Sequence, residues 1–294
     1  MPHPERSQIA AVFGARQGSG YLLGNGLVLT AAHLLGTELP EIVVPGAQAR
    51  IRCQVLWSQY SQGCDAALLV PDWHTALKGE LSDLLWGRIE DLVPRDGAFA
   101  IGYPDVQRDE NGELDSEQLV GTLKPGSGML GGRMTLDSAH GAPVARQNGG
   151  SPWAGFSGSA VFLGDRLVGV VRSDPVHWQH GRVELTPAAA ILDRPGFLNA
   201  VEGYTRHRIR SVRLEPPTRP DPDEFEERLR GFVLRQTGSL QVIGVNRGGD
   251  QDESWPLDIG YLSLELASGP VHRTGLDGPA PTPGDDAPQA QRAE

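Results

Sequence analysis

The chain has 294 residues, of which 39% are hydrophobic and 21% charged, with a formal net charge of -11. That apolar content suits a well-buried globular domain, and the acidic balance argues against nucleic acid as a main partner despite a small basic cluster at Arg206, His207, Arg208, Arg210 and Arg213. No segment approaches the roughly eighteen apolar residues that span a bilayer, and residues 1–20 lack an apolar core of signal length because Gly14-Ala15-Arg16 interrupts residues 8–13.

Residues 21–30 read as a strand, a Gly24-Asn25-Gly26 turn and a second apolar strand, a hairpin that delivers Thr30-Ala31-Ala32-His33 just beyond a strand end. Residues 52–57 and 65–70 are expected to pair as another hairpin, centred near Tyr60, with residues 58–63 as a polar turn. Asp65, in Cys64-Asp65-Ala66-Ala67-Leu68, then lies at the edge of a strand apolar enough to be buried. In that register Cys53 and Cys64 are not opposite one another, so both are expected as free thiols, with Cys64 a small buried filler. Two such cysteines lean toward a reducing, cytoplasmic setting. The glycine-rich stretch 126–132 is read as a hairpin turn and not a phosphate cradle, because no Gly-Lys-Ser/Thr ending follows.

The next informative segment is Gly155-Phe156-Ser157-Gly158-Ser159-Ala160-Val161. Its glycines leave the backbone uncovered, so the amides of Gly155 and Ser157 can point at one developing oxyanion, and Gly158 removes bulk beside the hydroxyl. A serine hydroxyl is a poor nucleophile at neutral pH and needs an imidazole base, which in turn needs a carboxylate to fix its tautomer. Ser157, His33 and Asp65 supply the three. Each motif alone is more often an ordinary loop, turn or surface histidine; their order and context set them apart. His74, His140, His177 and His180 lack partners at ligand spacing, so no metal is expected, and the chemistry implies no cofactor.

Together the Ala-Ala-His, Asp-Ala-Ala-Leu and Gly-x-Ser-Gly-x-x-Val segments resemble the trypsin-like, chymotrypsin-fold serine peptidases over residues 6–200, roughly two thirds of the chain. Residues 98–104 look like the strand that opens the second barrel in that family, and residues 165–171 like the strand that lines the substrate cleft. The resemblance implies an all-β fold of two antiparallel six-stranded barrels with the catalytic groups in the crevice between them. It implies His33 as general base, Asp65 as its orienting carboxylate, Ser157 as nucleophile, and Gly155 and Ser157 as oxyanion-hole amides. Phe156 stands where the digestive enzymes carry an aspartate, so activation by cleavage of the amino terminus is not expected. Ser151, six residues before the nucleophile, carries no charge at the base of the primary pocket. Arg172, Ser173 and Asp174 follow the cleft strand, and a carboxylate from Asp174 on the pocket wall leaves a basic side chain open as the preferred residue.

Past the peptidase-like part, residues 185–192 open with a Thr-Pro helix start, and residues 195–201 form a second short helix or turn. The expected organisation is a peptidase domain at 1–203, a basic then Pro-rich linker at 204–224, a helix-plus-two-strand arm at 225–266, and a disordered tail at 267–294. The arm helix begins at an Asp221-Pro222 cap and buries Phe225, Leu229, Phe232 and Val233; its strands are residues 240–245 and 259–266. Residues 253–266 are similar to the connector that joins such peptidases to NACHT/STAND NTPases in bacterial signalling proteins. No Walker-type loop is present in the chain, so an NTPase partner would act from outside these residues, in cis or in trans. The function expected is a serine endopeptidase acting on intracellular protein as a regulated effector of a bacterial defence or stress system, with neither nucleic acid nor membrane as partner. The alternative is a catalytically weak binding or scaffold module on the same fold.

Overall fold

The computed structural model describes residues 6–23, 26–46, 49–72, 84–110, 113–141, 150–217, 226, 230, 239–241 and 254–256. Six strands form the first barrel: β1 (Ile9–Phe13), β2 (Gln17–Leu22), β3 (Val28–Thr30), β4 (Glu41–Val43), β5 (Ile51–Ser61) and β6 (Cys64–Pro71). They are hydrogen-bonded in the order β1-β2-β3-β6-β5-β4, and pairing of β4 with β1 closes the ring. Strand β7 (Leu85–Arg88) crosses to the second barrel, which is built from β8 (Arg95–Gly102), β9 (Glu117–Lys124), β10 (Met134–Ser138), β11 (Ala160–Leu163), β12 (Arg166–Ser173) and β13 (Arg182–Pro187). These six run β11-β8-β9-β10-β13-β12, and a further β11–β12 pairing closes the ring. The fold is therefore the pair of six-stranded antiparallel barrels that the resemblance implies, with few helices.

The apolar alternation of the sequence explains where the core sits. Ala10, Val12, Val28, Ile42 and Leu69 fill the first barrel, and Ala98, Leu123, Leu136, Val168, Val183 and Leu185 fill the second. A third cluster joins Leu29, Cys64 and Leu68 of the first barrel to Ala160, Phe162, Leu167 and Val170 of the second. The barrels are thus cemented by apolar burial along the crevice where the site lies, the dominant favourable term in such packing.

Helices α1 (Ala188–Leu192) and α2 (Phe197–Thr205) follow β13. The expected helix start at Thr186-Pro187 moves by a residue or two, because Thr186 and Pro187 remain in β13, paired with Val170 and Gly169. Phe197 of α2 is fully buried between Trp57 and Trp86, with ring centroids 5.0 and 5.5 Å away at edge-on angles. Strand β14 (Arg210–Arg213) then pairs in parallel with β7, so part of the stretch expected as linker is strand attached to the second barrel.

One hairpin is longer than the sequence suggested. Strands β5 and β6 pair from Cys53 opposite Pro71 to Ser61 opposite Cys64, so the turn is at Gln62-Gly63 and not near Tyr60. The residues that looked like a polar turn, 58–61, are strand whose side chains point largely to solvent, which hides the alternation. Cys53 and Cys64 are free and buried.

The chain divides into two compact units, Met1–Thr218 and Arg219–Glu294. In the second, Glu226 and Arg230 are helical, and β15 (Ser239–Gln241) pairs antiparallel with β16 (Ser254–Pro256). The arm positions 242–245 and 259–266, the proposed connector beyond 256, the tail 267–294, His74, and Gly24 and Asn25 lie outside the described residues. No helix among the described residues is long and apolar enough to cross a membrane.

Candidate active site

His33 sits in the 3-10 turn Ala32–Leu34 immediately after β3, and Asp65 is the second residue of β6, the neighbour of β3 in the barrel. Pairing of Thr30 with Ala67 fixes the spacing that brings the two side chains together. His33 Nδ1 and Asp65 Oδ2 are 2.7 Å apart, and the His33 backbone N–H donates to Asp65 Oδ1 at 3.0 Å. The Asp65 carboxylate is fully buried, while its backbone N–H donates to Thr186 Oγ1 at 3.1 Å and the Thr186 hydroxyl donates to its carbonyl at 3.2 Å. A hydroxyl from β13 thereby fixes the carboxylate-bearing strand across the inter-barrel seam.

Ser157 lies in the loop before β11. Gly155 and Gly158 have φ of +89° and +90°, in the left-handed region that favours glycine. A Cβ on Gly158 would stand 2.0 Å from Ser19 O and 3.1 Å from Ala31 N, which places the serine loop directly against the segment that leads to His33. The amide pattern of the loop is selective. Ala154 N–H donates to Ser151 O, Phe156 N–H to Trp153 O, Gly158 N–H to Val171 O and Ser159 N–H to Phe156 O, at 2.8 to 3.2 Å. The N–H groups of Gly155 and Ser157 donate to nothing among the described residues. These are the two amides that the sequence assigned to an oxyanion hole.

Ser19, on β2, anchors this loop. Its backbone N–H donates to Ser157 O at 2.7 Å, its hydroxyl donates to Gly155 O at 2.8 Å, and that hydroxyl accepts Tyr103 N–H at 2.9 Å. Beneath the loop, Phe156 is fully buried with its ring 5.2 Å from that of Trp153, an apolar anchor in place of an ion pair.

The Ser157 hydroxyl donates to Arg172 O at 3.0 Å, and not to His33. The Arg172 side chain runs to the His33–Asp65 pair: Nε is 3.8 Å from Asp65 Oδ2, and Nη1 donates to Ser61 O at 3.3 Å and Gln62 O at 2.9 Å. Of the residues with which the sequence grouped it, Ser173 borders the same cleft, while Ser151 and Asp174 are bonded to each other. Ser151 Oγ donates to Asp174 Oδ2, which also lies 2.5 Å from His180 Nδ1, and Asp174 Oδ1 is buried with no hydrogen-bond partner among the described residues. Ser173 Oγ donates to Glu184 Oε2 at 2.8 Å, and Arg133 pairs with the same oxygen at 2.6 Å.

A cleft of about 690 Å³ opens over His33, bordered by Arg16, Tyr60, Asp65, Arg172 and Ser173. Another cavity, of about 790 Å³, lies against Phe13, Val43, Tyr103 and Arg108 and is lined by no nucleophile and base in hydrogen-bond contact. Of the residues named from the sequence, His33 and Asp65 are in contact, and Ser157 and the two amides lie on the loop packed against the segment that leads to His33. Sequence reasoning missed Ser19, Thr186 and His180, whose roles depend on which strand lies next to which; the small-residue run Gly18-Ser19-Gly20 was the only local sign.

No family model matches the chain, and no curated protein matches it. Solved structures do. The chain is similar to a Glu endopeptidase (14% identity, 70% of this chain and 93% of that one, TM-score 0.48). It is similar to the serine endoprotease from Yersinia pestis (16%, 69% and 64%, TM-score 0.44) and to the active form of the Rv3671c protease from M. tuberculosis (13%, 70% and 84%, TM-score 0.42). Identities this low leave function to the geometry of the site itself.

Proposed function

We propose that the chain is a serine endopeptidase that hydrolyses peptide bonds through an acyl-enzyme. The observation that carries the reading is that the two undonated amides of the 154–159 loop, Gly155 and Ser157, flank a serine packed against the segment bearing a carboxylate-bonded histidine. In the reaction the Ser157 hydroxyl turns from Arg172 O to His33 Nε2, which takes its proton as Oγ attacks the carbonyl carbon. The Gly155 and Ser157 N–H groups hold the resulting oxyanion. His33 then gives its proton to the leaving amine, and water, deprotonated by the same imidazole, hydrolyses the ester and returns the proton to Ser157. Asp65 accepts Nδ1–H and orients the ring throughout.

Phe156 supports a loop shaped without cleavage of the amino terminus. Ser151, Ser173 and Asp174 are assigned to the wall of the primary pocket, where the Asp174 carboxylate favours a basic side chain. Peptide-library profiling in which Asp174→Ala leaves the preference unchanged removes that assignment. The biological setting proposed is a cytoplasmic effector of a bacterial defence or stress system. Its substrate is an intracellular protein, and its arm answers to a NACHT/STAND-type NTPase in cis or in trans.

The second reading, a catalytically weak binding module, is favoured by one observation: the serine hydroxyl is bonded to a backbone carbonyl and not to the base. A fluorophosphonate probe separates the two. The enzyme reading expects labelling of the wild type, with Ser157→Ala unlabelled and His33→Ala slowed by about 10⁴-fold or more; an unlabelled wild type gives the ground to the scaffold.

A further inference from the structure

Arg172 occupies an irregular point of β12. Val171 pairs with Leu185 and Ser173 pairs with Glu184, so Arg172 is the extra residue of a bulge, a device that re-aims a side chain. It is aimed across the seam between the barrels. Its guanidinium reaches Asp65 Oδ2, the oxygen that holds His33, and clasps the Ser61 and Gln62 carbonyls at the tip of the β5–β6 hairpin. It lies 5.9 Å from the centre of the Tyr60 ring and is about four-fifths buried. The same residue's carbonyl accepts the Ser157 hydroxyl.

Asp65 is a fully buried carboxylate, and burying a charge is costly unless another charge and hydrogen bonds offset it. Its side chain receives two hydrogen bonds from His33, and Arg172 is the cation that faces it. The hairpin tip that Arg172 clasps is continuous with Asp65 itself, since Ser61 pairs with Cys64.

We propose that Arg172 is a positioning residue for catalysis: it neutralises and orients Asp65 from the opposite barrel while its own carbonyl parks the Ser157 hydroxyl at rest, so that one residue sets the spacing of base and nucleophile. The proposal rests on the peptidase reading. It goes beyond that reading by assigning to the guanidinium charge a part in turnover and not in substrate binding.

The test is steady-state kinetics on the full chain with a cleaved peptide substrate, comparing wild type with Arg172→Gln, which removes the charge and leaves an N–H donor near the Nε position, and Arg172→Lys, which keeps the charge. The expected result is a fall in kcat of about 10²-fold for Arg172→Gln, the scale of a small misplacement at a reacting centre, with KM within about threefold. Arg172→Lys should recover most of the lost kcat. Equal kcat in Arg172→Gln and wild type overturns the proposal, and so does a loss seen wholly in KM. If Arg172→Gln fails to fold, Arg172→Lys decides alone: a folded, labelled protein with kcat as low as that of His33→Ala overturns it. A wild type that fails to label with fluorophosphonate defeats the peptidase reading instead, so the two failures are distinguishable.

Discussion

The hydroxyl of Ser19 is buried between two backbone groups: it donates to Gly155 O and accepts from Tyr103 N–H. Removing it strands both, at about 1–3 kcal/mol each. Ser19→Ala is therefore expected to lower stability by about 2–6 kcal/mol in chemical denaturation, and to slow fluorophosphonate labelling by at least tenfold under conditions where the protein is still folded. A variant that loses stability but labels at the wild-type rate separates the clamp from the oxyanion amides. Gly158 makes the same point sterically. Gly158→Ala puts a Cβ 2.0 Å from Ser19 O at a φ of +90°, so an unfolded or unlabelled protein is the expected outcome. The contrast with His33, Asp65 and Ser157 marks what the sequence could reveal. The roles proposed for them, nucleophile, base and carboxylate, are constrained by chemistry to particular residue types and are visible as motifs. Ser19, Thr186 and Arg172 act through neighbours 100 or more residues distant, and a serine, a threonine or an arginine in a strand carries no local mark of that work.

At the scale of elements, the β5–β6 hairpin shows why its length was misjudged. A ribbon with neither face fully buried lacks the apolar alternation on which strand recognition depends, so Ser58 to Ser61 read as turn until pairing with β6 defines them. The hairpin also buries Cys53, whose thiol burial, with the Glu41 carboxylate nearby, pushes up from 9.0 to about 12. Burial raises the Cys64 thiol too, although the neighbouring Arg194 opposes it. Below pH 9 each thiol is neutral whether the chain is folded or not. Above it the unfolded chain releases the Cys53 proton while the folded one keeps it, so stability falls as pH rises, by about 1.4 kcal/mol per unit. Denaturant midpoints between pH 8 and 10.5 should show this downward slope, and Cys53→Ala should flatten it. Neither thiol should alkylate at pH 8 without denaturant. The parallel strands β7 and β14 were not foreseen either, because residues 85–88 and 210–213 are too short to display a period and gain strand structure only from each other and from β12.

For the whole molecule, the members of the three buried clusters among the described residues all precede residue 219, so the hydrophobic support described for both barrels is in the first unit. Truncation after Thr218 is expected to leave a protein that unfolds in one cooperative transition by circular dichroism. Comparing its hydrolysis rate with that of the full chain then tests control by the arm, and equal rates set that control aside. The two-barrel architecture was legible because His, Asp and Ser motifs fall in a fixed order along a strand-rich chain, while the second unit carries no comparable set of chemically constrained residues. The clamp at Ser19 has a last consequence. It comes from the first half of the polypeptide and shapes a loop in the second, while Thr186 does the reverse for Asp65. Cut between Pro71 and Leu85 and produced as two fragments, the molecule would be inert in either piece and would recover on mixing. On the peptidase proposal, fluorophosphonate labelling that returns only after the two fragments are mixed would report their assembly.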